Sequence, residues 1–174
     1  MPRTRRKIII FLIAVVLIAL TVFFALRGKD IPYRDEIEKF SYKYGVDIYL
    51  VTAIIKAESD FDRYALSSAG AVGLMQVMPN TAEWLCENME LAYDYDRLFE
   101  AEFNINLGTF YMSYLLKSFE LDFALAAYNA GEGKVREWQS RGIGIEDIPY
   151  AETREYVKRV KFFEKELKNA IYLY

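Results

Sequence analysis

One stretch constrains this chain more than any other: residues 8–26 are apolar throughout except for Thr21. Nineteen such residues, in a helix that rises ~1.5 Å per residue, are long enough to cross the hydrocarbon core of a bilayer. Arg3, Arg5, Arg6 and Lys7 stand just before the run, and a basic flank favours the cytoplasmic side. The expected organisation is a basic cytoplasmic tail over residues 1–7, a single transmembrane anchor over 8–26, a short linker over 27–32 and an extracytoplasmic domain over 33–174, which puts the protein in the cell membrane. A cleaved signal peptide is the rival reading. The run is long for a signal core, and Phe24, Ala25, Leu26 and Arg27 offer no small-x-small cleavage pattern.

Beyond the linker the pattern is helical, with few strand signals. Tyr33, Ile37, Phe40 and Tyr44 recur at helical spacing before Gly45. Asp47 is placed to cap a second helix, along which Ile48, Val51, Ile55 and Glu58 share one stripe. Residues 67–76 are rich in Gly and Ala and read as a tight loop, with room for a short strand. Asn80 and Glu83, after Pro79, have capping-box spacing. Phe103, Leu107, Phe110, Tyr111, Tyr114 and Leu115 mark a longer helix. Asp122 is a candidate cap for a short helix that Gly131 ends, Gly142 and Gly144 fall in another loop, and Thr153 is a candidate cap for a last helix carrying Tyr156, Val160, Phe163 and Leu167. The expected fold is mainly α, one globular domain after one membrane helix.

Composition narrows the chemistry. Histidine is absent, which removes the commonest general base and metal ligand. Cys86 is the only cysteine, so neither an intrachain disulfide nor a cysteine metal site is available. Acid–base work then falls to a carboxylate, Tyr or Lys. Residues 31–174 carry sixteen Lys and Arg against twenty-four Asp and Glu, a formal charge of −8, which argues against a nucleic-acid partner. Fourteen Tyr, twelve Phe and two Trp supply a core with aromatic surface to spare, suited to the apolar faces of sugars, although packing accounts for most of them.

Glu58 is the foremost candidate. It continues an apolar stripe, so it should face inward, and it lies near a helix C-terminus, the negative end of the dipole. Both disfavour the anion and raise the pKa, which suits a general acid; a helix-end Glu that reaches back to solvent is the competing reading. In the 67–76 loop, Gly70 and Gly73 let backbone approach closely and Gln76 offers both a donor and an acceptor; an ordinary packed loop explains the same pattern, with Met75 and Met78 as core filler. Tyr128 and Asn129 sit beside small residues at a helix end, which a plain C-cap also explains.

In order along the chain these segments form one pattern. Glu58-Ser59-Asp60-Phe61, Ser67, and Ala69-Gly70-Ala71-Val72-Gly73-Leu74-Met75-Gln76-Val77-Met78-Pro79 resemble the signature of the lytic transglycosylase family with the soluble-lytic-transglycosylase (SLT) catalytic domain, related to goose-type lysozyme. Asn104-Ile105-Asn106-Leu107-Gly108, Ala126-Ala127-Tyr128-Asn129-Ala130-Gly131 and Ile148-Pro149-Tyr150-Ala151-Glu152-Thr153-Arg154-Glu155-Tyr156-Val157 look like its later motifs. The resemblance implies a lysozyme-like domain with a sugar-binding groove, no cofactor and no metal. It implies peptidoglycan strands as substrate, cleaved at the MurNAc–GlcNAc β-1,4 bond with 1,6-anhydro-MurNAc ends, and Glu58 as general acid, then base. It implies that Ser67, Gln76, Tyr128, Asn129, Glu152 and Tyr156 line the groove or hold the site. Arg63 and Ala101 stand where the family usually has Pro; both are turn positions, so they touch loop geometry and not chemistry. A muramidase-type hydrolase of the same fold is the nearest alternative, and a non-catalytic glycan-binding or scaffold protein a more distant one.

Overall fold

The computed structural model describes residues 10, 12–18 and 31–171. The chain divides into two units, Met1–Ile31 and Pro32–Tyr174. In the first, the described residues 10 and 12–18 are helical. No helix among the described residues is long and apolar enough to cross a membrane. The remainder of the expected anchor, the whole basic tail and the first four linker residues lie outside the described residues.

The second unit is built on helices whose ends the sequence explains well at its start. Helix α1, Arg34–Tyr44, stops where Gly45 adopts φ 67°, a left-handed conformation that closes the helix with its N–H on the Ser41 carbonyl. Helix α2, Ile48–Ser59, opens on Asp47, whose carboxylate accepts from the N–H of Tyr49 at 2.8 Å and of Leu50 at 3.2 Å. Leu50, Val51, Ala53, Ile54 and Ile55 of α2 are all buried, so this helix is apolar almost all round and runs through the core. Each of its large aliphatic side chains contributes ~1.5–3 kcal/mol on burial.

Three expected caps take other roles. Helix α3, Pro79–Asn88, starts with Pro at its first turn after extended Met78 and has no side-chain cap; proline's fixed φ suits that position and its missing N–H leaves less to cap, so Asn80 and Glu83 form no capping box. Helix α4, Ala101–Ser118, is the long helix expected from the spacing. Helix α5, Leu121–Ala130, begins one residue before Asp122, which lies inside its first turn and binds Lys161 at 2.7 Å instead of capping. Gly131, at φ 91°, separates α5 from helix α6, Glu132–Ser140. The sequence did not single out α6, because only Val135 and Trp138 of it are buried. Helix α7, Ala151–Ile171, starts before Thr153, whose hydroxyl is buried inside the domain and not at a cap.

The core joins these elements pairwise: α2 lies along α7, α1 along α4, and α5 contacts α4, α6 and α7. The expected short strand is reduced to two isolated antiparallel bridges, Leu66 with Val72 and Val72 with Val77, which fold the loop after α2 back on itself.

Candidate active site

The loop after α2 is the scaffold of the site, and α4 holds it. The buried amide of Asn104 accepts from the Met75 N–H at 2.7 Å and donates to the carbonyls of Val72 at 2.9 Å and Leu98 at 2.8 Å. One side chain thus satisfies three buried backbone groups. Gly73, at φ 76°, presses so closely on Asn104 and the Leu98 carbonyl that a Cβ there would overlap both. Gly108 of α4 is equally tight, since a Cβ would come 2.5 Å from Met75 Sδ. The spacing of Asn104 and Gly108, one helical turn apart, therefore reads as a polar pin and a packing notch for one loop.

Glu58 lies in the last turn of α2, half-buried. Burial raises its pKa from 4.5 to about 7. Three smaller influences modify that: the Tyr156 hydroxyl and the Arg159 guanidinium favour the anion, and Glu152 disfavours it. Burial also pushes the Tyr156 phenol well above its ordinary value, with the charge of Glu58 adding. Tyr156 Oη meets no partner at ordinary hydrogen-bond geometry among the described residues, yet it lies close enough to Glu58 to favour its anion. Arg159 lies one turn along α7, 5.8 Å from the centre of the Tyr156 ring.

The other expected residues divide between bracing and presentation. Ser67 closes its own turn, its Oγ accepting from Ala71 N–H at 2.9 Å. Gln76, at φ 47°, donates to the carbonyls of Ala65 at 3.1 Å and Gly73 at 2.9 Å. Tyr128 donates to the Met75 carbonyl at 2.9 Å, and burial, then Glu58 and Tyr111, hold its phenol well above the usual range. Asn129 accepts from the Thr153 hydroxyl at 2.8 Å, which ties α5 to the start of α7. Glu152 is exposed. Asp60 and Asp62, the acids nearest Glu58 in sequence, are exposed; α2 ends at Ser59, Asp60 pairs with Lys56, and Asp62 caps the turn at Tyr64.

Gln76, Val77, Tyr111, Tyr128, Asn129 and Gly131 are among the residues lining a cavity of about 220 Å³. Glu58 does not line it directly and is linked to it electrostatically through Tyr128. A larger open depression of about 660 Å³ runs along α7 beside Phe162 and contains none of these residues; Lys158, Lys161 and Lys168 on its walls are already ion-paired. Several contributors were missed from the sequence. Arg159 left no local signal, Tyr111 showed only as part of a helix stripe, and Ser59, Asn104 and Thr153, though present in the motifs, act through contacts with distant segments that gave their roles no local mark.

The geometry now has external counterparts. Residues 35–146 match the Transglycosylase SLT domain family. The soluble lytic murein transglycosylase of Salmonella typhimurium is 36% identical over 146 residues, which cover 77% of this chain and 22% of that protein. The membrane-bound lytic murein transglycosylase F of Desulfosudis oleivorans is 36% identical over 143 residues, 71% of this chain and 30% of that one. Among solved structures, the 70 kDa soluble lytic transglycosylase of Escherichia coli matches with a TM-score of 0.72 at 35% identity, covering 76% of this chain and 23% of that one. The same type of enzyme in complex with bulgecin A matches with a TM-score of 0.77 at 32% identity, over 82% and 25% of the two chains. This chain spans 22–30% of the length of these relatives. A family pattern over residues 35–146, on a mainly α domain that superposes on those structures, means that this chain belongs to the Transglycosylase SLT domain family.

Proposed function

We propose that the domain is a peptidoglycan lytic transglycosylase that cleaves the MurNAc–GlcNAc β-1,4 bond with Glu58 as its one acid–base group. The observation that carries this reading is a half-buried carboxyl whose pKa is raised to about 7, so that it holds a proton near neutral pH and can give it up. Glu58 passes that proton to the glycosidic oxygen, the bond from C1 of the muramic acid to that oxygen breaks, and C1 gains oxocarbenium character. The anionic Glu58 then takes the proton of the same sugar's C6 hydroxyl, and O6 bonds to C1, closing the 1,6-anhydro ring. Glu58 is protonated again, and no water is consumed.

Hydrolysis by two carboxylates would need a second one across the bond. Glu152 is the other carboxylate whose charge reaches Glu58, and it is exposed. In this reading Tyr128 and Tyr156 flank the acid as neutral phenols, Ser67 and Gln76 fix the loop, and Asn129 and Glu152 present polar atoms to the glycan. Replacing Glu58 with Gln keeps the shape and removes the proton, so activity on cell walls should fall at least ~10²–10⁴-fold; clearing at the parent rate would remove Glu58 from this role.

We also propose that residues 8–26 anchor the protein in the cell membrane with the domain on the extracytoplasmic side. The length of the apolar run and the basic residues before it support this. A C-terminal reporter active only after export, on a full-length membrane-bound band, is the expected result; activity in the cytoplasm or a shortened soluble band would contradict it.

A further inference from the structure

Next to the cavity at Tyr128 lies a second one, of about 270 Å³, lined by Asn80, Thr81, Trp84, Tyr111 and Glu132. The two share Thr81 and Tyr111, so they adjoin on one surface. Trp84 is held there by other rings. Its ring centroid is 5.2 Å from that of Tyr114, nearly edge-on at 71°, and 6.4 Å from that of Tyr111 at 79°. Tyr111 in turn is 5.4 Å from Tyr128, and burial pushes its phenol up to about 12. A row of aromatic rings thus runs outward from beside Glu58 to an indole that remains 38% exposed.

We propose that Trp84, backed by Tyr111, is a stacking platform for an N-acetylated sugar ring of the glycan strand at a position away from the cleaved bond. The inference rests on the reading of the domain as glycan-cleaving. The π face of an indole is negative and attracts the weakly positive C–H groups on the apolar face of a pyranose. Asn80 and Thr81 make no side-chain hydrogen bond among the described residues, which leaves an amide and a hydroxyl beside the indole for sugar hydroxyl and N-acetyl groups. Glu132 is committed elsewhere: its carboxylate accepts from Arg136 Nε at 2.8 Å and interacts with the Tyr114 hydroxyl. The cavity is therefore poorly equipped for the amine of a stem peptide and well equipped for a neutral sugar.

The test uses the full chain carrying Glu58→Gln, in detergent micelles, titrated with a tetramer of N-acetylglucosamine. Trp84 and Trp138 are the only tryptophans, and Trp138 is 3% exposed, so a saturable change in tryptophan emission reports Trp84. Calorimetry on the same samples gives Kd. Adding Trp84→Leu, which keeps apolar bulk without a π face, should weaken binding about tenfold, and Trp84→Tyr should recover most of it. In the active enzyme Trp84→Leu should raise KM for long strands and leave kcat near the parent value. Binding with no emission change, no binding at all, or unchanged affinity in Trp84→Leu would each overturn the platform. The product chemistry does not enter this measurement, so a failure of the transglycosylase reading would be seen separately, as an absence of anhydro ends.

Discussion

Ser59 Oγ donates to the Leu74 carbonyl at 2.8 Å, so the residue beside Glu58 is tied to the loop that Asn104 fixes to α4. The position of the acid therefore depends on a loop with little secondary structure of its own, held by side-chain hydrogen bonds and by one close approach at Gly73.

Gly73 and Gly70 separate strain from crowding. Both have positive φ, but a Cβ at Gly70 would meet nothing while one at Gly73 would overlap Asn104 and Leu98. Gly70→Ala should cost about 1 kcal/mol from the backbone alone, and Gly73→Ala at least about 3 kcal/mol. Asn104→Ala should cost about 3 kcal/mol, because the Met75 N–H and the Leu98 carbonyl lose their partner and the Val72 carbonyl keeps only the Val77 N–H. Denaturant unfolding checks the order; equal effects at the two glycines would mean that the loop is not pinned as described.

Glu58→Gln should alter stability in a pH-dependent way. The folded pKa is about 7 against 4.5 for the free group. Below 4.5 both folded and unfolded chains are protonated, and the residue contributes nothing. As pH rises from 4.5 to 7 the unfolded chain releases its proton first, so the parent loses stability, and above 7 the full cost remains. The Gln variant avoids that cost. It should match the parent near pH 4 and exceed it near pH 8 by on the order of 1–3 kcal/mol. Urea unfolding at both pH values reads this directly, and a variant less stable than the parent at pH 8 would contradict the burial of the carboxyl.

The neighbours of Glu58 should move the alkaline limb of kcat/KM in opposite directions. The limb reports loss of the acid form in the free enzyme and should fall near pH 7. Arg159→Ala and Tyr156→Phe each remove an influence that favours the anion, so both should shift the limb upward; Glu152→Gln removes one that disfavours it and should shift the limb downward. The Arg159 effect should shrink with added salt because that side chain is exposed. Shifts of the same sign in all three variants would refute this arrangement of charges.

What could be read from the sequence was local. Gly45 and Asp47 end and begin helices through atoms a few residues away, and the inward stripe of α2 placed Glu58 correctly. Asn80, Asp122 and Thr153 have the residue types of caps, but proline at the α3 start, the reach of Lys161 and the partnership with Asn129 decided otherwise. The last two are contacts between distant segments, which periodicity cannot see, whereas Pro79 acts on its own neighbour. Helix α6 was missed because a stripe of Val135 and Trp138 alone gives no repeat. Trp84 was hidden in the same way, since its surroundings come from α4 and α6.

The central claim, that one carboxyl works with the substrate's own C6 hydroxyl in place of water, is tested most directly by the mass spectrum of peptidoglycan digested with the purified protein. The account predicts muropeptides ending in 1,6-anhydro-MurNAc, each lighter than its hydrolytic counterpart by one water and inert to borohydride. Muropeptides ending mainly in reducing MurNAc, which borohydride converts to the alcohol, would contradict it and make the protein a hydrolase.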